Sequence, residues 1–239
     1  MTQKPKVGIV IQARMGSTRL PGKVMKLLSG KEVLWHVVER SRKSTLADTV
    51  VVATSTESLD DPIAAYCQKN NIPFCRGPLE DVLARYVSCA REHNLDVIVR
   101  ITSDCPHIDP QTIDGCIKTL LDNRGKGVQY VSNIAERIFP PGLDCEVFTK
   151  EVLEEAADMG HGELDREHVT PYIMRTARFL PYRVDKALEG DMRLTLDKPK
   201  DYGLFSLLYE QFYKEGEIIN THEIISFLSD IRLRLSTPI

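Results

Sequence analysis

An apolar run near the amino end, Val7-Gly8-Ile9-Val10-Ile11, leads directly into a basic loop, Gln12-Ala13-Arg14-Met15-Gly16-Ser17-Thr18-Arg19-Leu20-Pro21-Gly22-Lys23. The run is mostly β-branched and predicts a buried first strand. The loop contains three cations and no acid, and its glycines and proline allow a tight turn close to a ligand. Because ligands of α/β sheets bind at the carboxyl ends of strands, the loop is a predicted polyanion site.

Phosphate is the favoured anion, since arginine forks match its oxygens in pairs and lysine adds a point charge. Two common phosphate motifs do not fit. A Walker A loop has four residues before its Gly-Lys and then Ser or Thr; here five residues separate Gly16 from Gly22, and Val24 follows Lys23. The alternating glycines of the dinucleotide fingerprint are absent from this loop. The plainer alternative is a solvated basic turn that binds nothing.

Composition restricts the class of protein. With 239 residues and 42% hydrophobic content, the chain can bury the core of one domain. A net charge of -3 argues against a general nucleic-acid binder. The sequence contains no apolar stretch near the roughly 20 residues that span a bilayer, and its start has no signal-peptide pattern. We therefore expect a cytoplasmic protein that binds neither nucleic acid nor membrane.

The six cysteines include no C-x-x-C pair, and the six histidines form no cluster with metal-ligand spacing. In a cytoplasmic chain of this length, we expect the cysteines to be reduced thiols. A bound metal is then expected to have oxygen ligands.

Strand and helix patterns alternate through the first half of the chain. Strands are predicted at 7–11, 48–53, 73–76, 96–102 and 128–132, and helices at 31–43, 58–70, 78–94 and 110–122. Such alternation predicts an α/β fold with a mostly parallel sheet flanked by helices. After residue 133 the pattern becomes irregular. Strands are predicted at 143–148, 179–184 and 193–197, and helices at 150–159, 200–215 and 221–228. We expect a single domain over 1–239 with a small insertion at 134–190.

Two aspartates follow predicted strands and precede prolines. Asp104 lies in Arg100-Ile101-Thr102-Ser103-Asp104-Cys105-Pro106, and Asp197 ends Arg193-Leu194-Thr195-Leu196-Asp197. Taken alone, Asp104 is better explained as a cap of the following turn. Together with the basic loop, the two acids predict a site that holds Mg²⁺ on a nucleoside triphosphate.

These segments resemble the cytidylyltransferase superfamily, which includes the CMP-sialate and CMP-Kdo synthetases, and especially its spore-coat polysaccharide biosynthesis branch. Further matching segments follow in the family's order at 80–86, 142–148, 166–172 and 194–197, so the similarity spans nearly the whole chain. It implies a nucleotide-diphospho-sugar transferase (GT-A/Rossmann-like) fold. It also implies transfer of CMP from CTP to an acidic sugar of ulosonic or nonulosonic type, with pyrophosphate release, in polysaccharide or glycan biosynthesis.

The resemblance also implies roles for particular residues. The catalytic residues would be Arg14, Arg19, Lys23 and His168. The nucleotide would be bound by Gln12, Ala13, Arg14, Gly16, Ser17, Lys23, Asp81, Arg85, Ser103 and Asp104. The acceptor would be bound by Asp144, Glu146, Glu167 and His168, and Mg²⁺ by Asp104 and Asp197. The 134–190 segment would shape the acceptor pocket and pair two subunits in a homodimer.

Several alternatives stay open. His168 suits a general base for an acceptor hydroxyl, but it is equally well explained as a residue that starts a helix. Arginines 137, 166, 175 and 183 include possible partners for an acceptor carboxylate, and spacing selects none of them. Arg14 stands where sugar-1-phosphate nucleotidyltransferases have a small residue, which favours cytidylyl transfer without fixing the base.

Two other functions compete with this hypothesis. A glycosyltransferase using a nucleoside diphosphate sugar shares this kind of sheet, but Asp144-Cys145-Glu146 is the nearest approach to the Asp-x-Asp pair it needs. A catalytically silent nucleotide-binding subunit is disfavoured, because every charged group that the chemistry needs is present. The acceptor itself is not identified by the sequence.

Overall fold

The alternating patterns correspond to a layered α/β structure, seen in a computed structural model that describes residues 4–183 and 192–236. Its strands are β1 Val7–Gln12, β2 Leu27–Leu28, β3 Lys31–Glu32, β4 Thr49–Ser55, β5 Phe74–Gly77, β6 Val97–Thr102, β7 Tyr130–Ser132, β8 Glu146–Thr149 and β9 Phe179–Pro181. Its helices are α1 Val33–Arg42, α2 Asp61–Lys69, α3 Val82–Glu92, α4 Pro110–Asn123, α5 Lys150–Met159, α6 Glu163–His168, α7 Pro171–Thr176, α8 Pro199–Phe212 and α9 Thr221–Ser236.

Over the described residues, seven strands form one sheet in the order β5-β4-β1-β6-β8-β7-β9. Strands β5, β4, β1 and β6 are parallel, β8 runs antiparallel to both β6 and β7, and β7 pairs in parallel with β9. The predicted mostly parallel α/β class is confirmed. Separate apolar clusters cover the two faces of the sheet. The carboxyl ends of β1 and β6 are adjacent, which brings the basic loop next to the turn that contains Asp104.

Side-chain caps explain where two helices begin. Asp81 accepts a hydrogen bond from the backbone N–H of Ala84 at 2.9 Å, so α3 starts at Val82 and not at the predicted residue 78. Asp109 caps α4 in the same way through Thr112. Of the strand predicted at 179–184, residues 179–181 form β9, and residue 184 lies outside the described residues, as does the 184–190 part of the predicted insertion.

The prediction of a strand at 193–197 was wrong. Within the described range 192–197 the backbone is irregular, and its contacts are single hydrogen bonds: Leu194 N to Pro141 O at 2.6 Å and Leu196 N to Asp104 O at 2.8 Å. Gly142 makes this approach possible, because a Cβ there would lie 2.1 Å from the Leu194 carbonyl oxygen and its φ is +108°. The segment therefore lies directly against the Asp104 turn.

The expectation that all six cysteines are reduced was also wrong, since Cys75 on β5 and Cys89 on α3 form a disulfide. Their Cα atoms are 5.8 Å apart, within the usual range for a disulfide. The pair is 14 residues apart in sequence, a spacing that carries no recognisable pairing signal. The other four cysteines are buried free thiols.

Candidate active site

A cavity of about 380 Å³ opens at the carboxyl edge of the sheet, beside the ends of β1 and β6. Over the described residues, all of the predicted site residues except Asp81 and Glu146 line it. These are Gln12, Ala13, Arg14, Gly16, Ser17, Arg19, Lys23, Arg85, Ser103, Asp104, Asp144, Glu167, His168 and Asp197. The fold thus brings together residues that are spread over most of the sequence.

Backbone contacts fix the basic loop at both ends. At its start, Ala13 N donates to Ala53 O at 3.0 Å, and Met15 N donates to the buried carboxylate of Asp60 at 2.6 Å. At its end, Gly22 adopts the left-handed conformation that its missing Cβ permits, and a short 3₁₀ turn begins at Lys23. The buried side chain of Val24 anchors that turn, which holds Lys23 at the cavity wall.

Lys23, Asp104 and Asp197 form the centre of the site. The Nζ of Lys23 lies 2.7 Å from Asp104 Oδ2 and 2.9 Å from Asp197 Oδ1. The lysine side chain is 12% exposed, so little water competes for these contacts. Burial by itself would lower the pKa of Lys23, but the charges and hydrogen bonds of the two aspartates outweigh it and raise the pKa. The ammonium is therefore held in its charged form.

Asp197 is surrounded by cations. Besides Lys23, it contacts Arg19 at 3.0 Å through Oδ1 and Arg193 through Oδ2. Burial would raise the pKa of this carboxyl, but Lys23, then Arg19 and Arg193, lower it below its usual value. Its backbone N–H donates to Asp201 Oδ2 at 3.0 Å, which ties it to the first turn of α8. The cluster has three cations to two carboxylates, and this excess suits a polyanionic ligand.

Several residues that line the cavity also form hydrogen bonds within the basic loop or to its neighbours. Ser17 Oγ accepts a hydrogen bond from Leu20 N, and Ser103 N donates to Gln12 O. The side chain of Gln12 accepts from the hydroxyl of Tyr86, which fixes its amide at the cavity wall.

Among the described residues, Asp81 and Glu146 are not part of the cavity lining, although Val82 next to Asp81 and Arg100 paired with Glu146 are. Asp81 caps α3 and lies 3.4 Å from Arg166. Glu146 is 1% exposed, where it accepts hydrogen bonds from Arg100 and from the hydroxyl of Tyr130. Both carboxylates have protein partners, and that of Glu146 is also buried.

Glu167 and His168, the last two residues of α6, also line the cavity. Glu167 lies 3.9 Å from Arg14, with both side chains substantially exposed. The next residue, Val169, is buried yet has φ +69° and ψ −51°, and Thr170 N donates to His168 O at 2.8 Å. This is a γ-turn on a β-branched residue, an unfavourable backbone conformation that the surrounding packing must impose.

Each of the four arginines that the sequence offers as a partner for an acceptor carboxylate has an acidic partner within the protein. Arg137 pairs with Asp144, Arg166 with Asp81, Arg175 with Asp165, and Arg183 with Glu136. Asp144 lines the cavity and receives two bonds from Arg137, at 2.8 and 3.3 Å.

Arg85 behaves differently from those four arginines. It lines the cavity and is only 2% exposed, yet its Nε and Nη1 atoms have no hydrogen-bond partner among the described residues. Burial lowers the pKa of its guanidinium, although Asp60 and Asp81 lie near enough to oppose the effect. A buried guanidinium without partners is energetically unfavourable unless a ligand supplies acceptors.

Sequence reasoning missed two residues that shape the site. Arg193 forms an ion pair with Asp197. The only sequence signal for this pair is that Arg193 precedes Asp197 by four residues. Asp60 is 1% exposed and holds Met15 N and Ser55 Oγ, and nothing in its sequence surroundings indicated that task. Cys105 also lines the cavity, but burial raises its pKa well above the usual value, so it stays a thiol.

The donor set fits a divalent cation that arrives with phosphate. Among the described residues no group of three or more His, Cys, Asp or Glu side chains is arranged to hold a metal. Asp104 and Asp197, however, converge on one point, the position of Lys23 Nζ. Mg²⁺ is commonly bound through one or two carboxylates together with substrate phosphates, and this pair meets that requirement.

Comparison with known proteins identifies the family. The family described as Cytidylyltransferase matches residues 8–222 of the chain. The chain belongs to the cytidylyltransferase family. It is therefore a nucleotidyltransferase, and the family resemblance read from the sequence is confirmed.

Three similar proteins illustrate the relationship. The spore coat polysaccharide biosynthesis protein SpsF of Bacillus subtilis (strain 168) is 33% identical over 231 residues, which cover 92% of each chain. A 3-deoxy-manno-octulosonate cytidylyltransferase of Anaeromyxobacter dehalogenans (strain 2CP-C) is 28% identical over 211 residues, 82% of this chain and 86% of the relative. A solved cytidylyltransferase from Leptospira borgpetersenii serovar Hardjo-bovis (strain JB197) has a TM-score of 0.88 at 32% identity, with 99% of both chains covered.

The comparisons also bear on the competing hypotheses. Membership of a nucleotidyltransferase family argues against the glycosyltransferase and the silent nucleotide-binding subunit. Within the parts of the chain that the structure describes, none of the helices is both long and apolar enough to cross a membrane.

Proposed function

We propose that this cytidylyltransferase transfers CMP from CTP to an acidic sugar in an Mg²⁺-dependent reaction that releases pyrophosphate. The observation that carries the proposal is the convergence of Lys23, Asp104 and Asp197 in one cavity that Arg14 and Arg19 also line. Two carboxylates for a metal and several cations for phosphate are the groups that phosphoryl transfer requires.

The reaction makes one bond and breaks one bond at phosphorus. The acceptor's hydroxyl oxygen bonds to the α-phosphorus, and the bond from that phosphorus to the bridging oxygen breaks, so its electron pair leaves with pyrophosphate. Arg19 and Lys23 offset the negative charge that grows on the leaving group. Asp104 and Asp197 would hold Mg²⁺, which when bound withdraws charge from the phosphate oxygens.

His168 is proposed to take the proton of the attacking hydroxyl. Its side chain is exposed at the cavity wall, and its backbone is fixed by the γ-turn at Val169. A positioned histidine of this kind typically contributes about 10²- to 10⁴-fold to a rate. Glu167 and Asp144, which also line the cavity, would orient the acceptor through hydrogen bonds to its hydroxyl groups.

The nucleoside is proposed to bind along Gln12, Ala13 and Arg85, with Gly16, Ser17 and Ser103 near the phosphates. Ala13 is largely buried and lines the cavity, where it would give the ligand an apolar surface, while Arg85 offers hydrogen-bond donors without partners among the described residues. Asp81 and Glu146 would act indirectly. Asp81 caps the helix that carries Arg85, and Glu146 pairs with Arg100, which lines the cavity.

An acidic sugar is the proposed acceptor class because one relative at 28% identity is named for 3-deoxy-manno-octulosonate, a sugar acid. The name of SpsF supports a role in polysaccharide biosynthesis. A homodimer is proposed through the 134–190 segment. Its support is that the large apolar side chains of Met159, Leu164, Met174 and Phe179 are 38 to 65% exposed there.

Pyrophosphate release measured with each of the four nucleoside triphosphates, against a panel of sugar acids, tests the proposal. We expect release only with CTP, and only when both Mg²⁺ and an acceptor are present. The Asp197→Asn variant serves as the inactive control. Pyrophosphate release with another nucleoside triphosphate and not with CTP would refute the assignment. Turnover of a nucleoside diphosphate sugar without pyrophosphate release would refute it as well.

A further inference from the structure

Lys23 lies where a divalent cation would lie. Its Nζ is within hydrogen-bond distance of both Asp104 and Asp197, the two acids proposed to hold Mg²⁺. A cation cannot contact the same carboxylate oxygens at short range without moving the ammonium. The side chains involved are 8 to 21% exposed, so the three charges are only weakly screened by water.

We propose that Lys23 blocks the metal position in the nucleotide-free protein, so that the site excludes free divalent cations and accepts them only together with the nucleotide. The inference rests on the proposed function, since it uses the same aspartate pair. It assigns Lys23 a second task, the exclusion of free metal, in addition to contact with phosphate.

Electrostatics around Asp197 supports the exclusion. Arg19 and Arg193 contact the same carboxylate, so a free dication would enter a cluster in which three cations already outnumber two acids. The displaced ammonium would remain close to the dication and repel it. A triphosphate reverses this balance, because its oxygens supply new partners for Lys23 and Arg19 and negative charge around the metal.

The consequence is an order of binding. Metal alone must compete with an ammonium that has two charge-assisted hydrogen bonds, whereas the metal–nucleotide complex brings its own replacement partners for that ammonium. The lysine also keeps the two carboxylates close together before the ligand arrives, since without a cation between them they would repel each other.

Mn²⁺ binding to the nucleotide-free protein, measured by electron paramagnetic resonance of the unbound ion, tests the proposal directly. The wild type is compared with Lys23→Met, which keeps the unbranched stem of the side chain and removes its charged end. We expect the variant to bind Mn²⁺ alone at least about tenfold more tightly than the wild type. Lys118→Met is the matched control, because Lys118 forms an exposed pair with Asp122 on α4, and the Mn²⁺ affinity of this variant should equal that of the wild type.

Lys23→Gln provides a second variant in case Lys23→Met fails to fold, since its neutral amide can still donate hydrogen bonds to the carboxylates. It should also tighten binding of Mn²⁺ alone. Equal or weaker Mn²⁺ affinity in the folded Lys23 variants would overturn the exclusion by Lys23 while leaving the proposed reaction intact. If wild type with CTP fails to bind Mn²⁺, and Asp197→Asn changes nothing, the aspartates do not hold metal and the proposed function fails as well.

Discussion

Replacing Arg85 with methionine should make the protein more stable and less able to bind CTP. The guanidinium is 2% exposed, and two of its nitrogens have no partner among the described residues. Each buried unsatisfied donor costs about 1–3 kcal/mol. Methionine keeps an unbranched stem, so the packing against Gly77, where a Cβ would lie 2.7 Å from Arg85 Cγ, is largely preserved.

The size of the change in stability and in CTP affinity can be worked out from these contacts. Loss of attraction to Asp60 and Asp81 offsets part of the gain, which leaves a net stabilisation of about 1–2 kcal/mol. For a chain of 239 residues this corresponds to a rise in Tm of about 2–8 °C. Because hydrogen bonds to a charged group contribute about 1.5–3 kcal/mol, the Kd for CTP should rise at least about tenfold.

Scanning calorimetry and titration calorimetry with CTP measure the two quantities. Arg76→Met is the matched control, since the Arg76 guanidinium donates to Ser55 O at 2.7 Å and to Asp61 at 2.7 Å. That variant should lose stability. A fall in the Tm of Arg85→Met would mean that the guanidinium is a structural partner, and an unchanged Kd for CTP would remove Arg85 from the nucleotide site.

Three further predictions test other parts of the structure. Lys23→Ala should lower pyrophosphate release by about 10²- to 10³-fold with the fold intact, and near-normal turnover would exclude Lys23 from the chemistry. Because the pKa of Asp197 is lowered, its ionised form adds stability above pH 3.8, the ordinary carboxyl value, and that stability is lost as the pH falls through the folded-state pKa. Urea unfolding should therefore show a difference of about 2 kcal/mol between wild type and Asp197→Asn at pH 6 that shrinks below about pH 4, and a pH-independent difference would contradict this reasoning. The Cys75–Cys89 disulfide joins residues that are 14 positions apart in sequence. Its reduction should lower the free energy of unfolding by about 3 kcal/mol, which urea unfolding with and without reductant measures. An unchanged value, with both thiols shown to be free by mass spectrometry, would show that the disulfide does not stabilise the fold.

The parts of the fold that sequence predicted are those with local signals. Strand β1 and the basic loop could be predicted because β-branched residues, glycines and cations have direct consequences for backbone and charge. The start of α3 was misplaced because Asp81 acts as its cap, and a sequence that reads Pro-Leu-Glu-Asp has more than one position where a helix could start. The 193–197 segment alternates like a strand, but its contacts are long-range hydrogen bonds to Pro141 and Asp104 that no local pattern encodes.

The candidate site also separates features with local sequence signals from features set by long-range contacts. The residue types needed for nucleotide chemistry could be predicted, because charge and chemical class are properties of single residues. Their pairing could not be predicted. The tertiary arrangement decides which groups meet. It pairs Glu146 with Arg100, places Lys23 between two acids, and leaves two nitrogens of Arg85 without partners among the described residues.

Two buried arginines show why this cavity, and not another part of the molecule, is the candidate site. Arg40 is 2% exposed, and each of its three nitrogens donates a hydrogen bond, to Ile108 O, Ile219 O and Thr221 Oγ1. Arg85 is equally buried, but it lacks such partners and lines the cavity. The same cavity borders the unfavourable γ-turn at Val169 and a cluster in which cations outnumber acids. Each feature lowers the stability of the free protein, and a bound nucleotide would compensate the unpaired guanidinium and the excess cations. Their occurrence around one cavity is therefore the pattern expected where stability is given up for function.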